Sequence, residues 1–435
     1  MTITTSIAPL KASIMRKPPF CTGTIPLLPG NAVVFYKRGL QSNCVDLSRA
    51  TENDLDSLVQ ACVPATVGVD QCDVLDESYR KAGKIDFADF AAKFDVDQGG
   101  IVDRIRAQLL AGLDESKPIR TELSKLNVYG KGSFFKAHKD TPRSDKMFGT
   151  LVVVYPTPHE GGTLLMRHSG QEWSFDSAEA VQQHEQGHPV VAYAAFYSDV
   201  EHEVTEIQSG HRVTLTYNLY FESKNRPPLS PAITPIAPDD RVFERALMTA
   251  LEDPQFLPKG GILGFGLTFM YPVSPETTTL NKLVSRLKGS DAVIKRVCDH
   301  LSLNVSLKAI YQDCDTSEYS QSVMVDEIRD IEDWRVDKDV ATVLRGSYFG
   351  GKIIHDFGTP PPKDWNGEPV VGAVEILWVT PLTPHAHFKS PYIAYGNEAA
   401  FACIYGDVCL VAQVGPVGRR ATKEGLKTKN SGLAY

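Results

Sequence analysis

The sequence has no excess of positive charge. Its 435 residues carry 45 Lys and Arg against 53 Asp and Glu, a formal net charge of −8. A protein that grips nucleic acid by broad phosphate neutralisation shows the opposite balance, and no Lys- or Arg-rich run is present, so nucleic acid is not the expected partner. The eight cysteines are scattered with no C-x-x-C pair, which excludes a zinc ribbon and gives no disulfide framework. Reduced thiols in the cytoplasm or nucleus are expected. Long hydrophobic runs are missing as well. Stretches such as Leu151 to Tyr155 fall far short of a membrane span, the first twenty residues lack the apolar core of a secretory signal, and the C-terminal NSGLAY carries no retention or lipidation signal. No membrane contact is expected.

What is there is ordinary globular composition, 42% hydrophobic and 23% charged, at a length that suggests two to three domains. Residues 1–118 read as a mixed N-terminal region. Thr51 is placed to cap a helix through Leu55, Leu58 and Val59. A second helix is expected over Val74–Ala82, and a third over Ile101–Leu113, where Ile101, Ile105 and Leu109 repeat every four residues.

From 119 to 222 the pattern changes to short β-branched and aromatic segments separated by Gly, Pro, Asp and Ser. Strands are predicted near 121–129, 133–139, 147–155, 162–168, 171–175, 189–196, 200–206 and 211–221. Eight short strands in a hundred residues suggest a sandwich or jelly roll. Residues 223–240 hold most of a Pro-rich run and read as a linker. Residues 241–435 alternate helical and strand-like patterns, with helices at Val242–Ala250 and Leu280–Leu287, the latter ended by Gly289, and strands near 304–311, 340–348, 370–379 and 400–414. The overall class is α+β: a jelly roll with a helical N-terminal buttress and a second α+β domain of unassigned role.

The chemistry concentrates in three short segments. In Phe134-Phe-Lys-Ala-His138-Lys-Asp140, side chains two apart on a strand face the same way, so an imidazole and a carboxylate stand side by side. His202 follows in Ser198-Asp-Val-Glu-His202, and Arg212 comes ten residues later in His211-Arg212-Val-Thr214. Two His and one carboxylate occupy one face of a metal and leave the others open, the arrangement of non-haem Fe(II) oxygenases. A guanidinium at Arg212 can clamp a distal carboxylate through paired hydrogen bonds. Thr214 shares its strand face, Val213 and Leu215 point the other way into packing, and Tyr129 offers a further donor.

On Tyr129, the Gly-x-Phe-Phe-x-x-His-x-Asp stretch, Glu160-Gly-Gly-Thr163 and His202 with its basic residue ten later, residues 119–221 resemble the catalytic domain of the prolyl-4-hydroxylase type of Fe(II)/2-oxoglutarate dioxygenases. That domain is a distorted double-stranded β-helix. The resemblance implies His138, Asp140 and His202 as iron ligands and Arg212 as the anchor for the 2-oxoglutarate C5 carboxylate. It also implies O2 as co-substrate, with release of succinate and CO2. Collagen-type members carry Lys at the anchor, so Arg212 departs from them and weakens any inference of a collagen-like substrate. The chain as a whole resembles a fungal intracellular group, and its two-domain layout is similar to fungal hydroxylases that modify a ribosomal protein. A protein (prolyl) or small-molecule substrate is therefore expected, with oligomeric state open. An inactive jelly-roll scaffold that binds a protein partner is the alternative, which the intact triad and anchor disfavour.

Other polar residues get plainer readings. His159 and His168 read as surface, His211 as an exposed turn residue, Glu201 and Glu203 as solvated, and Asp199 as a turn former. His385-Ala-His387 and His355-Asp356 lack a matching ligand set for a second metal. Arg143 lies where it can meet substrate at the rim.

Overall fold

The computed structural model describes residues 3–14, 18–69, 72–110, 117–141, 143–144, 146–182, 184–185, 188–222, 240–275, 278–312, 321–328, 335–336, 340–347, 349–364, 366–395 and 399–422. The chain divides into two compact units, Lys17–Leu229 and Met1–Arg16 with Ser230–Tyr435. Both are built mostly from β-strands.

In the first unit an antiparallel sheet runs in the order Phe20–Pro26, His188–Tyr197, Met147–Val154, Arg212–Phe221, Ile119–Tyr129, Gly83–Asp86 and Val63–Pro64. A smaller sheet runs Gln171–Phe175, Leu164–His168, Glu201–Val204, Phe134–His138 and Arg80–Lys81. The apolar run Val190–Tyr197 is buried at every position, as expected of a strand covered on both faces. Gly149, beside a register shift, lets the neighbouring strand approach closely, since a Cβ there would lie 2.4 Å from the Phe196 carbonyl oxygen.

The strand Arg212–Phe221 carries the information that matters most. Val213, Leu215 and Leu219 are fully buried on one face, whereas Arg212, Thr214 and Asn218 are buried on the other. A buried polar face must find hydrogen-bonding partners or a ligand.

Each of the eight strand segments expected between 121 and 221 contains an observed strand. Three further strands were not anticipated, His159–Gly161 and Ile207–Gly210, which pair with each other, and His184–Glu185, nor was the short helix Ser177–Gln182. The helix after Thr51 forms as Glu52–Ala61, closed by a capping box in which the Asp54 N–H donates to Thr51 Oγ1 and the Thr51 N–H donates to Asp54. Its Leu55 and Leu58 are buried. The third expected helix is observed over Ile101–Gln108, and 111–116 fall outside the described residues.

The helix expected over Val74–Ala82 does not exist. Cys72–Val74 is a strand, Asp76 Oδ1 accepts from the Ser78 N–H at 2.9 Å to make a turn, and Arg80–Lys81 pairs with Phe134–Phe135. Sheet pairing and the Asp turn outweigh a weak helical spacing. Residues 18–110 thus supply strands to both edges of the larger sheet as well as the two helices.

In the second unit an eight-stranded sheet runs Gly261–Gly266, Val374–Thr380, Lys352–Asp356, Ser322–Val325, Asn304–Gln312, Ala399–Val414, His387–Tyr395 and Arg335–Val336. The helix Ile3–Ser13 packs against Arg241–Glu252 in this unit. The strand expected at 340–348 is corrected to a helix, Val340–Arg345, which packs on Ser322–Val325 and buries Leu344. Gly289 does not merely end a helix. The first one stops at Val284, and Gly289, at φ 44°, opens another that runs to His300. Of the expected linker, only Asp240 lies within the described residues. No helix among them is long and apolar enough to cross a membrane.

Candidate metal centre and co-substrate pocket

Pairing of Phe134–His138 with Glu201–Val204 sets His138 directly opposite His202. The ring centroids are 4.2 Å apart. Asp140 follows the end of the first of these strands and brings Oδ2 to 4.0 Å from His202 Nε2. One donor atom from each of His138, Asp140 and His202 lies within 4.8 Å of the other two, and this is the one such group of three or more found among the described residues.

The imidazoles are held in matching states. His138 Nδ1 meets the Lys136 carbonyl at 2.8 Å and His202 Nδ1 meets the Val200 carbonyl at 3.1 Å. A carbonyl only accepts, so each Nδ1 carries the proton and each Nε2 keeps its lone pair for a metal. Phe135 stacks on His138 at 3.6 Å, Arg80 lies over the Phe135 ring at 4.3 Å, and Phe196 packs against His202 at 4.5 Å. Burial and the adjacent His202 push the His138 pKa down. Burial opposes ionisation of Asp140, but His202 and the Thr150 hydroxyl hold its carboxyl below the ordinary range. Two neutral nitrogens and one carboxylate oxygen fit Fe(II) with coordination positions left open.

Arg212 is 2% exposed and pairs with Tyr129 across adjacent strands, its guanidinium carbon 5.6 Å from the Tyr129 ring. Its Nε donates to Ser177 Oγ at 3.1 Å. No carboxylate pairs with it among the described residues, and burial lowers its pKa. A buried unpaired guanidinium is costly unless an anion arrives to match it. Thr214, 1% exposed, stands two residues along on the same face. Gly162, from the Glu160-Gly-Gly segment, has φ 71°, and a Cβ on it would come within 3.0 Å of Arg212 Cδ. Only glycine leaves the arginine that room.

Several plain readings need correction. His159 is not at the surface: it is 4% exposed, bonded through Nδ1 to the Thr157 carbonyl, and its Nε2 is buried with no hydrogen-bond partner. Arg212 is one of the charges that act on it. His168 is largely buried against Asp199, itself buried, at 3.4 Å. Glu201 and Glu203 are partly buried and form ion pairs with Arg167 at 3.6 and 2.9 Å. His211 is partly buried, 3.9 Å from Asp56. His387 is committed to Asp407 and His355 to Thr359. Thr150, Ser177 and His159 carried no local signal, because each reaches the site through distant pairing.

A pocket of about 970 Å³ opens beside His138 and Asp140. Tyr79, Arg80, Lys125 and Arg143 line it too, whereas His202, Tyr129, Arg212 and Thr214 do not. Arg143 therefore stands on the pocket wall, as its sequence position suggested.

Residues 124–220 match the family model of the 2OG-Fe(II) oxygenase superfamily. No curated protein matches the chain. Among solved structures, the chain is similar to a prolyl-4-hydroxylase of Pseudomonas putida at 21% identity, over 49% of this chain and 98% of that one, with TM-score 0.29. A Trichoplax adhaerens prolyl hydroxylase, solved with a peptide fragment of the hypoxia inducible factor oxygen degradation domain, matches at 16% identity over 49% and 90%, also with TM-score 0.29. A viral collagen prolyl hydroxylase from Paramecium Bursaria Chlorella virus-1 matches at 12% identity over 39% and 91%, with TM-score 0.22. The matched segment takes in all three clustered donors, so the chain carries a 2OG-Fe(II) oxygenase superfamily domain and is an oxidoreductase, a dioxygenase working with Fe(II), 2-oxoglutarate and O2.

Proposed function

We propose that His138, Asp140 and His202 hold the Fe(II), that Arg212 receives the distal carboxylate of 2-oxoglutarate, and that the enzyme hydroxylates a prolyl residue of a protein or a small molecule. The observation that carries this reading is Arg212, a buried cation with no carboxylate partner among the described residues, on the same sheet as the family-matched strands. Tyr129 and Thr214 flank it and complete the polar lining. In the same reading the domain is of the prolyl-4-hydroxylase type, related to the fungal intracellular group, and the protein works in the cytoplasm or nucleus.

When bound, the metal supplies oxidation of substrate by O2 coupled to decarboxylation of 2-oxoglutarate to succinate. The chain's own residues do the rest. The Lys136 and Val200 carbonyls fix both imidazoles as Nε2 donors, and Thr150 turns the Asp140 carboxylate towards them. Ser177 and Gly162 set the direction of Arg212, while Phe135 and Phe196 pack against the two imidazole rings.

The test is anaerobic addition of Fe(II) and 2-oxoglutarate. A weak visible charge-transfer band is expected, with succinate formed on admitting air. A folded protein that shows neither would overturn the assignment. Mass spectrometry of a cell extract incubated with active enzyme, seeking one-oxygen gains on peptides or metabolites, then identifies the substrate.

A further inference from the structure

Strand Ile119–Tyr129 presents Lys125, Asn127 and Tyr129 on one face, while Leu126 and Val128 are buried on the other. The three polar side chains have different duties. Tyr129 faces Arg212, and Asn127 accepts from Arg80 at 2.8 Å and donates to Thr216 at 3.0 Å. Lys125 lines the 970 Å³ pocket together with His138 and Asp140, and has no hydrogen-bond or ion-pair partner among the described residues.

The carboxylates around that pocket are already engaged. Asp86 pairs with Lys84 at 3.3 Å, Glu122 pairs with Arg120 at 2.9 Å, and Asp76 accepts from Ser78. Asp140 does act on Lys125, yet with a metal in place its charge belongs to the metal. The charges closest in effect to Lys125 besides Asp140 are cations, Arg80, Lys84 and Arg143. Burial and these cations pull the Lys125 ammonium down to about 8. A half-buried cation held among other cations costs free energy that a bound anion would return.

We propose that Lys125 is a specificity-determining residue that pairs with a carboxylate carried by the substrate, so that the enzyme selects acidic substrates over their uncharged counterparts. This rests on the metal assignment above, because the pocket is a substrate site only if His138 and Asp140 are ligands. The charge count fits. The 2-oxoglutarate dianion offsets Arg212 and the positive charge left on a metal bound to one carboxylate, so no group among the described residues is left to balance Lys125. A carboxylate can come from a Glu or Asp of a peptide or from a small organic acid, and the test separates the two.

Two sets of probes serve, each used with saturating 2-oxoglutarate so that Arg212 is filled. One set is short peptides with a central proline flanked by Glu on either side, matched to the Gln isosteres. The other is N-acyl amino acids matched to their carboxamides. Affinity for the protein loaded with redox-inert Zn(II) is read by titration, and succinate formation is read with Fe(II). In the wild type the acidic members of one set are expected to bind at least about tenfold more tightly than their amides. Lys125→Met is expected to erase that preference, Lys125→Arg to keep part of it, and Lys125→Glu to reverse it, so that the amides bind more tightly than the acids. Equal binding of acid and amide, no binding by acidic members of either set, or a preference that survives Lys125→Met overturns the proposal. The Fe(II)–2-oxoglutarate band keeps the two failures apart. A protein that shows the band without acid preference loses only Lys125, whereas one that lacks the band loses the metal assignment.

Discussion

Thr150 and Asp140 are joined by a 2.6 Å hydrogen bond that runs from the larger sheet to the metal-facing end of the smaller one. The donor is 3% exposed on strand Met147–Val154, and the acceptor is the carboxylate beside His138 and His202. A ligand that would otherwise swing on a loop is thereby tied to a rigid strand.

Removing that tie should loosen the metal without unfolding the protein. Thr150→Val keeps the shape and deletes the hydroxyl, and divalent metal affinity is expected to fall by about 10- to 100-fold. Thr150→Ser should restore most of it. Competition titration with a metal-sensitive dye makes the measurement, and unchanged affinity in the Val variant would show that Asp140 orients itself.

Arg212→Met takes away the cation proposed to meet 2-oxoglutarate. Hydrogen bonds to a charged group contribute about 1.5–3 kcal/mol, so half-saturation by 2-oxoglutarate should rise roughly ten- to a hundredfold. Arg212→Lys keeps the charge but loses the fork, and should fall between the two. A 2-oxoglutarate titration that superimposes on wild type for the Met variant would sink the anchor assignment.

Gly162→Ala probes the same arginine from the side. The position has φ 71°, where an L-residue pays about 1–2 kcal/mol, and the new methyl meets Ile207 at 2.4 Å and Arg212 at 3.0 Å. Lower thermal stability and a raised 2-oxoglutarate requirement are expected together. Loss of stability with an unaltered requirement would mean that the arginine does not depend on the glycine's space.

The second unit makes its own pH prediction through Asp291, which is fully buried at the start of helix Gly289–His300. Burial raises its pKa from 3.8 to about 6, against hydrogen bonds donated by the Thr268 and Phe269 N–H groups and the Tyr271 hydroxyl. Because the folded pKa is raised, the group's stabilisation is complete below pH 3.8 and is lost as pH rises through about 6. The stability of wild type relative to Asp291→Asn should therefore drop by about 2 kcal/mol between pH 4 and 7, on top of a constant offset for the lost acceptor. Urea unfolding at a series of pH values decides it, and a difference that stays flat refutes the shift.

The proposed iron ligands are legible because their chemistry is local: His138 and Asp140 are two residues apart, and the Gly-x-Phe-Phe run marks the strand that ends at His138. Arg212 stands out in the same way by its interval after His202. His159 reads as surface from its place near a strand end. Only its pairing with Gly210, fifty residues away, buries it. Thr150, Ser177 and Lys125 are ordinary residues until the fold brings them to the site. Val340–Arg345 carries β-branched residues that read as a strand, and it is packing of Leu344 that makes it a helix. Local propensity lost to tertiary context in each of these cases.

The sheet order bears on how this enzyme can be dissected. Strand His188–Tyr197 lies in the middle of the larger sheet only because Phe20–Pro26 covers its outer edge, and Ile119–Tyr129 is shielded likewise by Gly83–Asp86. A fragment trimmed to residues 124–220 would keep every proposed iron ligand and yet bare two rows of unpaired amide and carbonyl groups, the template on which chains stick to one another. Expression of the catalytic half should therefore begin ahead of Phe20, since the first hundred residues act as its selvedge.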